Sequence, residues 1–223
     1  PAWDGSAEPP KFSEKERAGL ITRAALLATG SANTRPIKKG VFLRERVLCD
    51  NIAAPPANVA GAAPELSADL TTREVTEKLT EQKGSSCAAC HSTQINGLGF
   101  PTENFDALGR VRTEQRLFTE DGEFVKAKSV DTTSVPRVVP SDDSKVSNAQ
   151  ELSDKMLETG KAQACFARQF TRFTFAREND LKKDGCVLEA MRKPLVEGKS
   201  LKDVMRTLAL STEFRQRYFG ENQ

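Results

Sequence analysis

Histidine is almost absent from this chain. It occurs once in 223 residues, at position 91, so any site that needs an imidazole has a single candidate. An excess of charge of either sign is missing too. The 33 basic and 31 acidic residues leave a net charge of +2, which gives no support for nucleic acid or an anionic membrane surface as a partner. No run approaches the ~18 apolar residues that a membrane span requires, so no transmembrane segment is expected. No signal peptide precedes the first residues, and the chain opens on Pro1 rather than an initiator methionine. What remains is a globular composition, 38% hydrophobic and 29% charged. That is enough for one or two small domains with proper cores.

The lone histidine closes the stretch Cys87-Ala88-Ala89-Cys90-His91. C-x-x-C-H is the attachment sequence for c-type haem, and each part has a chemical task. Two thiols must reach opposite edges of one porphyrin to add across its vinyl groups. A spacing of three residues places Cys87 and Cys90 on one face of a helical turn, and His91 stands on that face as well. The small Ala88 and Ala89 let the backbone lie close to a macrocycle. A thioredoxin-like redox pair would need a βαβ setting, which the flanking sequence does not supply. A zinc site would need about four ligands, and Cys49, Cys165 and Cys186 contain no second C-x-x-C pair. One covalent haem c is therefore expected, with thioethers at Cys87 and Cys90 and His91 as an axial ligand of the iron. Such haem is attached outside the cytoplasm. The chain is accordingly expected to be exported to the periplasm or cell surface, as a mature product or as part of a longer polypeptide.

Along the chain, Pro-, Gly- and Ala-rich residues 1–12 lead into a capping box at Ser13 and Glu16. A helix is expected to follow through Leu20, Ile21, Ala24, Leu27 and Ala28, stopped by Gly30. Residues 40–49 read as a second helix with Val41, Phe42, Val47 and Leu48 inward and Arg44, Glu45 and Arg46 as its solvated face. The prolines of 51–65 favour an extended connection. Thr71 and Glu74 form another capping box, opening a helix through Val75 and Leu79. Residues 95–110, with Gly97 and Gly99 and with Phe100, Phe105 and Leu108, are expected to wall one face of the haem. A β-hairpin turns at Asp121–Gly122, and one more short strand is expected at Val138–Val139. Ser147 with Gln150 caps a further helix. Phe166, Phe170, Phe173 and Phe175 suit the buried face of the next. Asp184 and the Ser200/Asp203 box open the last two. Three segments result: residues 1–65, a helical segment with a Pro-rich linker; 66–147, the haem-binding region with its hairpin; and 148–223, a small helical bundle. A Cys165–Cys186 disulfide would close the loop between neighbouring helices and stabilise by roughly 3 kcal/mol; two buried free thiols are the alternative.

The run RAGLITRAALLATG (17–30), IKKGVFLRERVLCD (37–50), CAACH (87–91), GLGFPTENFDALGRVR (97–112), ACFARQFTRFTFARE (164–178) and SLKDVMRTLALSTEFRQR (200–217) resembles the C-terminal cytochrome-like modules of large exported proteins of planctomycetes, myxobacteria and their relatives. The resemblance implies a mainly α fold, a cytochrome c-like haem domain with a short β-hairpin followed by a small helical bundle. It also implies a further helical region upstream of Pro1 and the Cys165–Cys186 pairing. One departure is RFTFARE, where the family more often has a glycine before the arginine.

Function turns on the second axial position. No second histidine exists, so a methionine sulfur is the usual partner in an electron carrier. Met156 is the favoured candidate, with Met191, Met205, a lysine, another chain or an open site as alternatives. The expected function is single-electron transfer to a redox partner protein, or to an upstream part of the same polypeptide. A five-coordinate, peroxidase-like haem enzyme or ligand sensor is the alternative, and a carrier is favoured over a catalyst.

Overall fold

A computed structural model describes residues 5, 6, 8, 12, 16, 17, 19–55 and 66–216. Among them the chain is mainly helical with a two-stranded antiparallel sheet, as the helical patterning and the Asp121–Gly122 turn demand. None of these helices is long and apolar enough to cross a membrane. The chain divides into two compact units, one drawn from residues 1–45 and 50–155, the other from 46–49 and 156–223.

In the first unit, helix α1 is short (Ala24–Leu27). The expected cap at Ser13 lies outside the described residues. Helix α2 (Pro36–Phe42) begins before the expected Gly40, because Pro36 occupies its first turn. There its fixed φ suits the helix and its missing N–H costs nothing. The helix runs on into a π-helical turn, Leu43–Val47. Helix α3 (Thr72–Thr80) opens on the expected capping box: the Thr71 N–H donates to Glu74 Oε2 (2.7 Å), and the Glu74 N–H to Thr71 Oγ1 (3.2 Å). Its buried face is polar rather than Val75 and Leu79. Thr72 and Thr76 are buried while Leu79 is exposed. The threonines can go inside because they are hydrogen-bonded there: the Thr76 hydroxyl to the Thr72 carbonyl, and Thr72 in two bonds of 3.0 Å with Gln115.

Next come α4 (Ser86–Cys90), a second π turn (His91–Ile95), α5 (Asn96–Gly99) and one 3-10 turn (Phe100–Thr102). Strands β1 (Glu114–Phe118) and β2 (Phe124–Ser129) form the expected hairpin, with Gly122 at φ +87° in its turn. Val138–Val139 makes no strand; Val138 is a buried loop residue, and an isolated bridge joins Ser134 to Val146.

Three glycines set how closely this unit packs. A Cβ at Gly40 would stand 2.1 Å from the Ile95 carbonyl oxygen, one at Gly99 2.1 Å from that of Pro36, and one at Gly97 2.2 Å from that of Val135. Helix α2 and the 95–99 segment thus meet backbone to backbone, and no residue with a side chain fits at those points.

The second unit is a helical bundle. Helix α6 (Ala149–Glu158) leads into it, capped one residue later than expected: the Glu151 N–H donates to Asn148 Oδ1 (2.9 Å), and Glu151 accepts from the Ser147 N–H (2.7 Å). Helices α7 (Lys161–Phe175), α8 (Leu181–Val196), α9 (Leu201–Leu210) and α10 (Thr212–Arg215) follow. Ala167, Val187, Met191, Val204 and Leu208 form the core, with Phe166, Phe170 and Phe175 against it and Phe173 exposed. The Ser200/Asp203 box stands as expected. Helix α8 starts at Leu181 under an Asp180 cap rather than at Asp184. Asp184 is buried and paired with Arg177 at 2.6 Å, and that guanidinium holds its carboxyl below the usual carboxylate range.

The disulfide joins Cys165 to Cys49, across a sequence separation of 116, not to Cys186. Periodicity explains the difference. Asp184, Val187, Leu188 and Met191 form the buried stripe of α8 at helical spacing, and Cys186 lies off it, exposed with a free thiol. Cys165 lies on the buried side of α7 and meets the 46–49 segment instead. Helix α7 ends at Ala176 with φ +50°, a left-handed residue immediately before Arg177. A glycine would adopt that conformation without cost.

Three outcomes follow. Peptide mapping of unreduced protein will return Cys49 linked to Cys165 and Cys186 alkylated; a Cys165–Cys186 peptide would contradict the fold. On the chain-entropy account, opening this 116-residue loop lowers stability by about 5 kcal/mol, read by denaturant unfolding with and without reductant. Ala176→Gly will stabilise the protein by about 1 kcal/mol in urea unfolding, since it relieves a left-handed alanine; lowered stability would overturn that reading of the turn.

Candidate functional site

Helix α4 presents the C-x-x-C-H motif. Ser85 caps it by accepting the Ala88 N–H (3.2 Å), which starts the turn two residues before Cys87. Cys87 and Cys90 are free, partly exposed thiols separated by one helical turn. His91 then opens the second π turn, in which the Asn96 N–H bonds back to the His91 carbonyl across five residues. In a regular α-helix a side chain five residues on lies about 140° round the axis. The widened turn removes that offset, and His91 Nδ1 meets Asn96 Oδ1 at 3.1 Å.

Asn96 is fully buried, and its partners fix which way its amide points. Its Nδ2 donates to Thr80 Oγ1 (2.9 Å) and to the Glu81 carboxylate (2.7 Å), which only accepts. Oδ1 therefore faces the imidazole, and an amide oxygen can only accept. The proton of a neutral His91 ring sits on Nδ1, and Nε2 keeps its lone pair. Sequence reading missed Asn96, although an Asn five residues beyond the histidine was there to be found.

A cavity of about 320 Å³ lies beside these residues, lined by Ser86, Cys87, Cys90 and His91. Ile37 and Val41 of α2 and Glu45 of the turn that continues it form a second wall, four residues apart. Residues 52–55, Ile-Ala-Ala-Pro, close it, with Ile95. The expected haem wall at 95–108 is largely something else. Leu98, Phe100 and Phe105 are core residues, Leu108 is exposed, and Gly97 and Gly99 approach the chain's own backbone. Ile95 alone of that segment's apolar residues lines the cavity.

Arg44 also departs from expectation. It is 3% exposed rather than solvated. Its guanidinium donates to the carbonyls of Gln94 (3.0 Å), Arg137 (3.0 Å) and Pro136 (3.1 Å), and to Asp50 (3.1 Å). Arg137 in turn donates to the Ser92 carbonyl (3.0 Å). Two arginines thus hold carbonyls of the turn that His91 begins, and the fork of Arg44 ties two backbone segments and the Asp50 carboxylate together.

The remaining alternatives narrow. Cys49 and Cys165 are spent on each other and cannot serve zinc. No three His, Cys, Asp or Glu side chains converge as a metal cluster among the described residues. The described sheet is an antiparallel hairpin and offers no βαβ setting for α4. None of the three methionines lines the cavity. Met156 is buried in the second unit, Met191 accepts from the Thr171 hydroxyl (3.3 Å) in the bundle core, and Met205 is exposed. The donor set suits a porphyrin: two free thiols one turn apart, an imidazole whose neutral form has its lone pair at the outer nitrogen, and a largely apolar wall. Haem would be held by Cys87, Cys90 and His91.

In the haem-free protein, 15N shifts of His91 will show the Nδ1–H tautomer. Asn96→Leu will mix the tautomers and, by leaving Thr80 and Glu81 without their partner, cost about 1–3 kcal/mol of stability. An Nε2–H tautomer in the parent protein would overturn the assignment.

No curated protein and no solved structure matches the chain. Residues 17–115, less than half of it, match the family described as PSCyt3, protein of unknown function (DUF1588). That segment holds α2, its π turn, residues 52–55, the C-x-x-C-H helix and Asn96, so what the chain shares with that family is the part that builds the cavity.

Proposed function

We propose that the chain is a mono-haem c-type cytochrome module that passes single electrons, as part of a larger exported redox protein or complex. The observation that supports it best is the Asn96–His91 pair. A buried amide oriented by two other partners leaves His91 with its lone pair at the outer nitrogen, next to two free thiols. Bound haem supplies an iron whose two oxidation states differ by one electron, at a potential that the axial ligands and the burial of the group set.

The protein's own part is to hold and shield. Cys87 and Cys90 would anchor the macrocycle and His91 would offer its outer nitrogen to the iron, with Asn96 holding the imidazole in one tautomer and orientation. Ile37, Val41, Ile52 and Ile95 give the cavity apolar lining, which would shield a bound macrocycle from water. A second ligand to the iron, for which the sequence favours Met156, would come from outside the residues that line the cavity. The name of the matched family fits a cytochrome-like module, and a disulfide suits an oxidising compartment, the periplasm or cell surface. The partner would be a redox protein or another part of the same polypeptide.

One observation favours a second reading. Glu45 lines the cavity, a carboxylate in reach of the space beside His91. In a five-coordinate site it would serve as the acid or base that peroxide chemistry needs.

An optical redox titration of the haem-loaded protein separates the two. The carrier reading predicts a low-spin spectrum, a one-electron titration and a far-red sulfur band that Met156→Leu removes. A high-spin spectrum with a peroxide reaction that Glu45→Gln slows by about 100-fold or more would replace it with the second.

A further inference from the structure

A second cavity, also of about 320 Å³, opens against another face of α2. Its wall is apolar: Ile21, Ala25, Leu26 and Ala28 in and around α1, with Phe42 and Leu43. Its charged lining residues are Arg35, Lys38 and Lys39, and no carboxylate lines it. Positions 35, 38 and 39 are three and four residues apart, so one side of a helical turn gathers all three cations. Like charges held together in this way repel unless something neutralises them.

Only part of that charge is balanced. Lys39 donates to the Thr102 hydroxyl (3.1 Å) and stands 3.7 Å from Glu103. Glu103 is buried and is shared with Arg112 (3.5 Å) and the Thr34 hydroxyl (2.6 Å). One carboxylate thus faces two cations before Arg35 and Lys38 are considered. Arg35 has a hydrogen bond to the Ser31 hydroxyl (3.3 Å), and among the described residues no carboxylate pairs with Arg35 or Lys38. Burial pushes the Lys39 ammonium down from its usual range, which an entering anion would offset. An apolar chamber of this size with a few convergent charges at one side has the make-up of a small-molecule site.

We propose that this cavity binds an amphipathic monocarboxylate, its hydrocarbon body against Ile21, Ala25, Leu26 and Phe42 and its carboxylate held by Arg35 and Lys38. The guanidinium fork suits a carboxylate in two parallel bonds, and the ammonium adds a point charge. The site is separate from the cavity beside His91 and does not depend on haem.

The test is calorimetric titration of the full chain with decanoate, with 1-decanol as a neutral probe of the same length. Decanoate is expected to bind at least about tenfold more tightly than decanol, and the double variant Arg35→Gln/Lys38→Gln to lose about tenfold or more of that affinity with an unchanged far-ultraviolet spectrum. Ala25→Trp, which fills the chamber, is expected to abolish binding of both. Equal affinity for acid and alcohol, unchanged decanoate binding by the double variant, or no decanoate binding at millimolar concentration would each overturn the proposal. If Ala25→Trp does not fold, the charge variant and the alcohol decide the matter alone.

Discussion

Helix α2 and the segment that follows the C-x-x-C-H motif touch with nothing between them but backbone. Gly40 sits on the Ile95 carbonyl and Gly99 on that of Pro36. Any larger residue would push the two apart, and most features of the first unit would go with them. At this separation Ile37, Val41 and Glu45 stand across from Cys87, Cys90 and His91 and make a cavity. It also lets Arg44 reach the Gln94 carbonyl from the turn that continues α2. The glycines look like weak points in a helix, since each costs about 1 kcal/mol there relative to alanine. Here the close packing they permit outweighs that cost.

Polar groups placed inside this unit are costly unless each is satisfied. Arg44 meets the condition with three backbone carbonyls and Asp50. Asn96 meets it with an imidazole, a hydroxyl and a carboxylate, so one side chain joins α3, its C-terminal cap and the motif histidine. That satisfaction is also what gives the site its chemistry. A water-exposed His91 would sample both tautomers, whereas one bonded to an oriented amide has a single free nitrogen. Both π turns lie at these places, and the second brings Asn96 to the imidazole where a regular turn would carry it past.

Where a feature depends on neighbouring residues, the chain shows it plainly. The Thr71/Glu74 and Ser200/Asp203 boxes, the Asp121–Gly122 turn and the apolar stripes of α8 and α9 are local and stand where expected. Features that depend on distant partners do not show. Arg-Glu-Arg on a short helix reads as a solvated face, because the carbonyls that bury Arg44 belong to residues 94, 136 and 137. Cys165 lies nearer in sequence to Cys186 than to Cys49, yet a helix turns Cys186 outward and the third dimension supplies the other. Thr72 and Thr76 look like surface residues until Gln115 arrives from β1 to pair with them. Gly97 and Gly99 were legible as places of close approach, but not as approaches to the chain's own backbone. That Cys87, Cys90 and His91 share one face follows from their spacing, and they line one cavity; Asn96, which orients the histidine, and Glu45, which faces the same space, needed the fold.

The central claim is that Cys87, Cys90 and His91 hold a haem by two thioether bonds. Intact mass and peptide mapping of the full chain, produced in an oxidising compartment with haem-attachment machinery present, test it most directly. The account predicts one haem per chain, carried on the peptide that contains Cys87 and Cys90, with both thiols closed to alkylation. Protein recovered folded, with Cys49 and Cys165 linked but with Cys87 and Cys90 both alkylated or joined to each other, would contradict it.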